Sequence, residues 1–231
     1  VGASASRTMS GSEDVRGAYR PELIDRWPEF WFSLMHSRRH ALHVFIDNTQ
    51  PEGKVIQGLA SGVFVSAEFL DQHLAEPAPY LAQRVLERHL GGNSPLLSAK
   101  AMAAAQASEG LRVIGMDFAI HRGDWYRPST LRWLPVLHHS VREFLSGYRL
   151  RSYHREIFGR DTYMIARAGG FRLETDYRKG PYANVSRLPP AQRPYLMGMN
   201  ADQSNRRIGP MAPRFFQTQD PQFDFTQAEQ E

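Results

Sequence analysis

Leu111-Arg-Val-Ile-Gly-Met-Asp-Phe-Ala-Ile120 is the clearest strand in the chain. Its near-continuous apolar character predicts burial on both faces, in the middle of a sheet. Asp117 interrupts the run, either as a residue near a strand edge or end or as a polar group lining a cleft. Downstream, His121 to Ser129 is a polar loop. Ser129 or Thr130 then caps a helix reaching about Ser146, with Leu131, Leu134, Leu137, Val141, Phe144 and Leu145 on one face. Tyr148 to Ile157 reads as a strand with alternating polar residues, in competition with a helix from Tyr153 to Phe158. Asp161 caps a helix to Ala168, Gly169-Gly170 stops it, and Phe171 to Tyr177 is the final strand expected.

Upstream of the central strand the punctuation is equally regular. His40 to Asp47 and Lys54 to Val65 read as two strands of an antiparallel hairpin across a Pro- and Gly-containing turn. Gly58 and Gly62 within the second suggest a bulge or a close backbone approach. Ser66 with Glu68 marks a helix N-terminus. Helical stretches follow from Tyr80 to Leu90, closed by Gly91-Gly92, and from Ala99 to Ala107, closed by Gly110. Before the hairpin, Leu23, Ile24, Trp27, Phe30, Trp31, Leu34 and Met35 recur at helical spacing. Pro28 argues for a kink or two short helices. The aromatics Trp27, Phe30 and Trp31 are either core or the lid of a pocket.

The chain has 231 residues, 42% hydrophobic and 11% aromatic, enough for one domain with a sizeable core. It has no cysteine, which excludes a disulfide framework, a thiolate metal site and a Cys nucleophile. No apolar run is long enough to span a membrane, and Val1 to Ser12 has no apolar signal-peptide core. A cytoplasmic protein is expected. The formal net charge is +4, with basic residues only in short clusters such as Arg38-Arg39-His40 and Arg206-Arg207. That distribution reads as a solvated surface rather than a nucleic-acid footprint. Residues 1 to 20 form a flexible arm rich in Ser, Gly and Ala. After Gly180 the texture changes to Pro, Asn and Gln, an extended arm with no core of its own.

The sequence carries no P-loop, no His-Glu-x-x-His, no Gly-x-Ser-x-Gly and no Gly-x-Gly-x-x-Gly. His138-His139 are adjacent and so point to different helix faces, and no metal site is expected. Asp117, His121 and His154 converge only if their strands are neighbours.

The order of elements from Leu111 to Tyr177, with Ala168-Gly-Gly-Phe-Arg-Leu173, resembles the back half of a GNAT (Gcn5-related N-acyltransferase) fold. The resemblance implies a mixed, mostly antiparallel α/β sheet flanked by helices, whose two central strands splay to hold an acyl-CoA. The pyrophosphate would sit on backbone N–H groups at a helix N-terminus. The corresponding loop, Arg122-Gly-Asp-Trp-Tyr-Arg-Pro-Ser-Thr130, has a single glycine. The position of the family's acidic Tyr is Ala166, with Tyr163 about one turn earlier. The likeness is therefore one of fold ahead of activity.

A second set of segments is similar to the region before the helix-turn-helix of bacterial LuxR-type transcription regulators. They are Gly62-Val-Phe-Val-Ser-Ala-Glu-Phe69, Ser94-Pro-Leu-Leu-Ser98, Gly110-Leu111, Gly147-Tyr-Arg-Leu150, Ala168 to Leu173 and Arg193-Pro-Tyr-Leu196. Pro221 to Glu231 is similar to the start of that helix-turn-helix, with Thr226 and Glu229 as a capping box. This resemblance implies a regulatory or signal-sensing domain that meets DNA only through a segment absent from this chain.

The expected organisation is an arm over residues 1–20, a GNAT-like α/β domain over 21–180, and a Pro-rich arm over 181–231. The leading expectation is a LuxR-type regulatory domain that binds a small ligand or forms a homodimer, with no cofactor. The alternatives are an N-acyltransferase using acyl-CoA or a carrier-protein thioester, and a non-catalytic dimerisation module. The expected cleft is lined by Phe118, Ile120, Arg122, Trp125, Tyr126, Arg127 and Tyr153, the two arginines meeting an anionic group. Under the enzyme reading Asp117 or His154 is the base and Tyr163 the acid.

Overall fold

The computed structural model describes residues 20–35, 40–47, 55–120, 148–168, 170–184 and 193–200. The elements, in order, are α1 (Pro21–Ile24), α2 (Trp27–Met35), β1 (His40–Asp47), β2 (Val55–Val65), α3 (Ala67–Ala75), α4 (Leu81–Leu90), α5 (Ala99–Ala107), β3 (Leu111–Ile120), β4 (Leu150–Ile157), α6 (Arg160–Ala168), β5 (Arg172–Asp176) and β6 (Tyr195–Asn200). The six strands form one sheet in the order β1-β2-β3-β4-β6-β5. Every neighbouring pair is antiparallel except β3 and β4, which run parallel at the centre. This is the GNAT-like, mixed and mostly antiparallel sheet expected from the order of elements.

Local chemistry sets the boundaries. The Ser66 hydroxyl accepts from the Phe69 amide at 3.3 Å and the Ser98 hydroxyl from the Ala101 amide at 3.2 Å, capping α3 and α5. The break between α1 and α2 falls before Pro28, which sits in the first turn of α2, where a missing N–H costs little. In β2 the register shifts between Ser61 and Gly62. A Cβ on Gly62 would lie 3.0 Å from the Ile114 carbonyl, the close backbone approach that the glycine permits.

Helices cover both faces. On one, α2, α3 and α4 bury Trp27, Phe30, Trp31, Leu70, Leu81, Val85 and Leu86 against Val63, Ile114, Met116 and Leu196. The α2 aromatics are core. On the other face, Met102 of α5 packs on Phe64, Leu111, Val113 and Met199, while Tyr163 and Ala166 of α6 pack on Ile157, Tyr195 and Met197. The parallel register slips between Leu111 and Arg112, which pair with Leu150 and Ser152. The slip leaves Arg151 as a bulge and turns Ser152, His154 and Glu156 toward α3 and α4.

Two expectations change. Tyr148 to Ile157 contains a strand and no helix. The arm expected after residue 180 is not an arm throughout, because Tyr195–Asn200 inserts as β6 between β4 and β5. Tyr195 to Met199 are all buried, and Pro194 stands just before the strand, where its missing N–H interrupts no ladder. The domain therefore runs to at least Asn200, and β5 is an edge strand instead of the last. The helix expected to reach Ser146 lies outside the described residues.

Candidate functional site

The parallel pair does not stay together. Pairing of β3 with β4 ends at Gly115↔Arg155, although β3 continues to Ile120 and β4 to Ile157. Beyond that point β3 holds only β2, with Asp117 opposite Ser61, Phe118 opposite Ala60 and Ile120 opposite Gly58. On its other side β4 holds only β6, with Glu156 opposite Leu196. The strands part like a wedge, and among the described residues no strand pairs with the backbone N–H and C=O groups of either in the gap.

Each face of the wedge carries polar groups from β4. Toward α4, the Glu156 carboxylate accepts from the Tyr80 amide at 2.7 Å and the Leu81 amide at 2.8 Å. It thereby caps the N-terminus of α4, which has no side-chain cap of its own. Tyr80 is held with φ of 73°, the only non-glycine residue with positive φ among those described. Such a conformation costs about 1–3 kcal/mol and persists only where the surroundings fix it. Protein packed around the Glu156 carboxyl pushes it up to about 8, against the opposing pull of the two amides and of Arg84. Glu156 nevertheless keeps partial exposure on a central strand, as the parting of the strands requires. Nearby, the Tyr177 hydroxyl donates to the Ala78 carbonyl at 3.1 Å, and burial raises its pKa, with the Glu156 charge adding to the effect.

Toward α5, the Tyr153 ring and hydroxyl come within 2.9 Å of the position a Cβ would take on Gly115. The Tyr153 hydroxyl thus sits over the last paired step, with Phe171 edge-on to its ring at 5.3 Å.

The candidates named from the sequence divide into four groups. Tyr153 lies at the wedge. Asp117, Phe118 and Ile120 lie along the stretch of β3 that has lost β4, while Arg122, Trp125, Tyr126, Arg127 and His121 fall outside the described residues. His154 and Tyr163 do not join one another. His154 faces α3, whereas Tyr163 is on the opposite face, stacked on Tyr195 with ring centres 4.5 Å apart. Burial, with help from the Arg112 charge, lowers His154 to about 4. Among the described residues no group of three or more His, Asp or Glu is placed to hold a metal ion, and no helix is long and apolar enough to cross a membrane. Glu156 was missed by sequence reasoning. Its only signal was a third polar residue, after Ser152 and His154, at alternate positions of a strand that the central place of β3 already implied was interior.

No protein-family model matches the chain, and no curated protein matches it. Among the solved structures similar to it are two at 10% identity. FeeM, an N-acyl amino acid synthase from uncultured soil microbes, has a TM-score of 0.45 and aligns over 90% of this chain and 94% of its own. The C-terminal condensation domain of Ebony, in complex with beta-alanyl-dopamine, has a TM-score of 0.48 and aligns over 85% of this chain and 90% of its own.

Proposed function

We propose that the chain is a GNAT-type N-acyltransferase, moving an acyl group from acyl-CoA or a carrier-protein thioester to an amine. The observation that carries this reading is the wedge between β3 and β4, with Glu156 on one face and the Tyr153 hydroxyl on the other. Parted strands present main-chain groups to an extended, amide-bearing guest, the pairing mode of an added strand. A carboxyl raised to about 8 is a base matched to neutral pH, suited to take the proton that an attacking amine must lose. The amine nitrogen bonds to the thioester carbonyl carbon and the thiolate leaves. On this reading Tyr153 contacts the thioester, and Arg122 and Arg127 meet the anionic end of the donor.

The test is a thermal-shift titration with acyl-CoA, with CoA as control, joined to an assay of thiol release in the presence of amines. A ligand that binds the folded chain raises Tm once it exceeds its Kd. Glu156→Gln is expected to keep the Tm rise and lose thiol release, and Arg122→Ala with Arg127→Ala to lose the rise. No rise at millimolar acyl-CoA would overturn the proposal. The regulatory reading rests on the LuxR-like segments alone and stands second. Saturable ligand binding without thiol release from any amine would favour it.

A further inference from the structure

We propose that a cleft under α3, beside the paired part of β3 and β4, binds a compact oxyanion, a small carboxylate or a phosphate. The cleft is lined by Leu70, Asp71 and Leu74 of α3, Arg112 of β3, Arg151, Ser152 and His154 of β4, and Asn200 of β6. Its volume is about 230 Å³, room for about eight waters and below the range of coenzyme pockets. It is therefore no part of a thioester site, and the inference does not depend on the acyltransferase reading.

The strongest sign of a ligand is unmet hydrogen bonding. His154 is 1% exposed and Ser152 3% exposed. Neither imidazole nitrogen of His154, nor the Ser152 hydroxyl, has a partner among the described residues. Buried polar atoms without partners cost free energy and are rare in folded proteins. Both residues border the same cleft, so one guest lies against both side chains.

The charges decide its sign. Two guanidiniums, Arg112 and Arg151, face one carboxylate, Asp71, across the lining. Arg112 is the enclosed member of its ion pairs, 16% exposed against 63% for Asp71 and 67% for Glu109. Those pairs are long, at 3.8 and 3.4 Å, and their exposed carboxylates are free to swing into water when another anion takes Arg112. The other titratable neighbours of His154 are His73 on α3 and Glu174 on β5, whose Oε1 approaches across Gly198. Leu70 and Leu74 leave space for a short apolar portion.

The test is titration of the full chain with inorganic phosphate and with succinate, against chloride at matched ionic strength. The expected result is a saturable rise in Tm by about 10 mM anion, with movement of the His154 side-chain resonances in NMR. Leu74→Trp, which fills the mouth without touching a charge, and His154→Gln are each expected to weaken binding by about tenfold or more. No saturable rise, or an undiminished rise in Leu74→Trp, overturns the proposal, since the cleft then holds only water. Should either variant fold poorly, the His154 resonances of the unaltered protein decide alone, and their failure to move overturns it.

Discussion

Raising the pH from about 6.5 to about 8 should weaken this fold, through Glu156. Its carboxyl is raised from the ordinary 4.5 to about 8. Between those values the folded chain keeps a proton that the unfolded chain has released. Stability therefore falls as pH rises, by about 1.4 kcal/mol per unit. Two buried histidines oppose this at lower pH. His73 and His154 are both lowered to about 4, so each contributes stability that is lost as pH falls below 6.5. Between 6.5 and about 7.5 the unfolded chain sheds its last histidine protons, which offsets about 0.8 kcal/mol of the decline. From pH 6.5 to 8 the Glu156 loss of about 1.7 kcal/mol therefore shows as a net fall of about 1 kcal/mol. With a urea slope of about 2 kcal/mol per molar, the midpoint moves down by about 0.5 M. Glu156→Gln is neutral at every pH and should remove the decline. A wild-type midpoint that rises across this window, or a Glu156→Gln midpoint that falls as steeply, would refute the reasoning. The two amides would then be holding an ordinary carboxylate.

Below pH 6.5 the sign reverses. Calorimetric stability should fall toward pH 4, and a His73→Gln, His154→Gln double variant should flatten that limb. Gly198→Ala puts a methyl 2.6 Å from Glu174 Oε1 and 2.7 Å from His154 Nε2, and should cost about 1–3 kcal/mol in urea unfolding. Trp27→Ala, emptying a site 1% exposed, should cost about 3–5 kcal/mol by the same measurement. A chain ending at residue 190 should lose cooperative thermal unfolding, because β4 and β5 share no partner without β6.

The first three strands and the helix caps were legible because their signals are local. The run from Leu111 to Ile120 is central, as its apolar texture implies, and Ser66 stands three residues before the amide it caps. The strand β6 was hidden by its neighbours. Tyr195 to Met199 is an apolar run inside a Pro- and Asn-rich segment, and the composition of the segment outweighed the run. Glu156 was illegible for a different reason. Its partners are backbone amides about 75 positions earlier, and no spacing or residue type encodes a carboxylate meeting amides. Tyr163 was placed from its distance to Gly169-Gly170, yet which face a helix presents to a sheet depends on the strand it packs on. That strand is β6, through Tyr195.

The late position of β6 also governs how the chain leaves the ribosome. About forty residues of synthesis separate β4 from the strand that covers its outer edge, a delay of roughly 2–8 s at cellular elongation rates. During that interval the middle of the sheet is a raw edge, open to pairing with other nascent chains. Yield in a cell should therefore respond to elongation speed between Ile157 and Tyr195 and to chaperones that shield strand edges, even where the finished protein is stable.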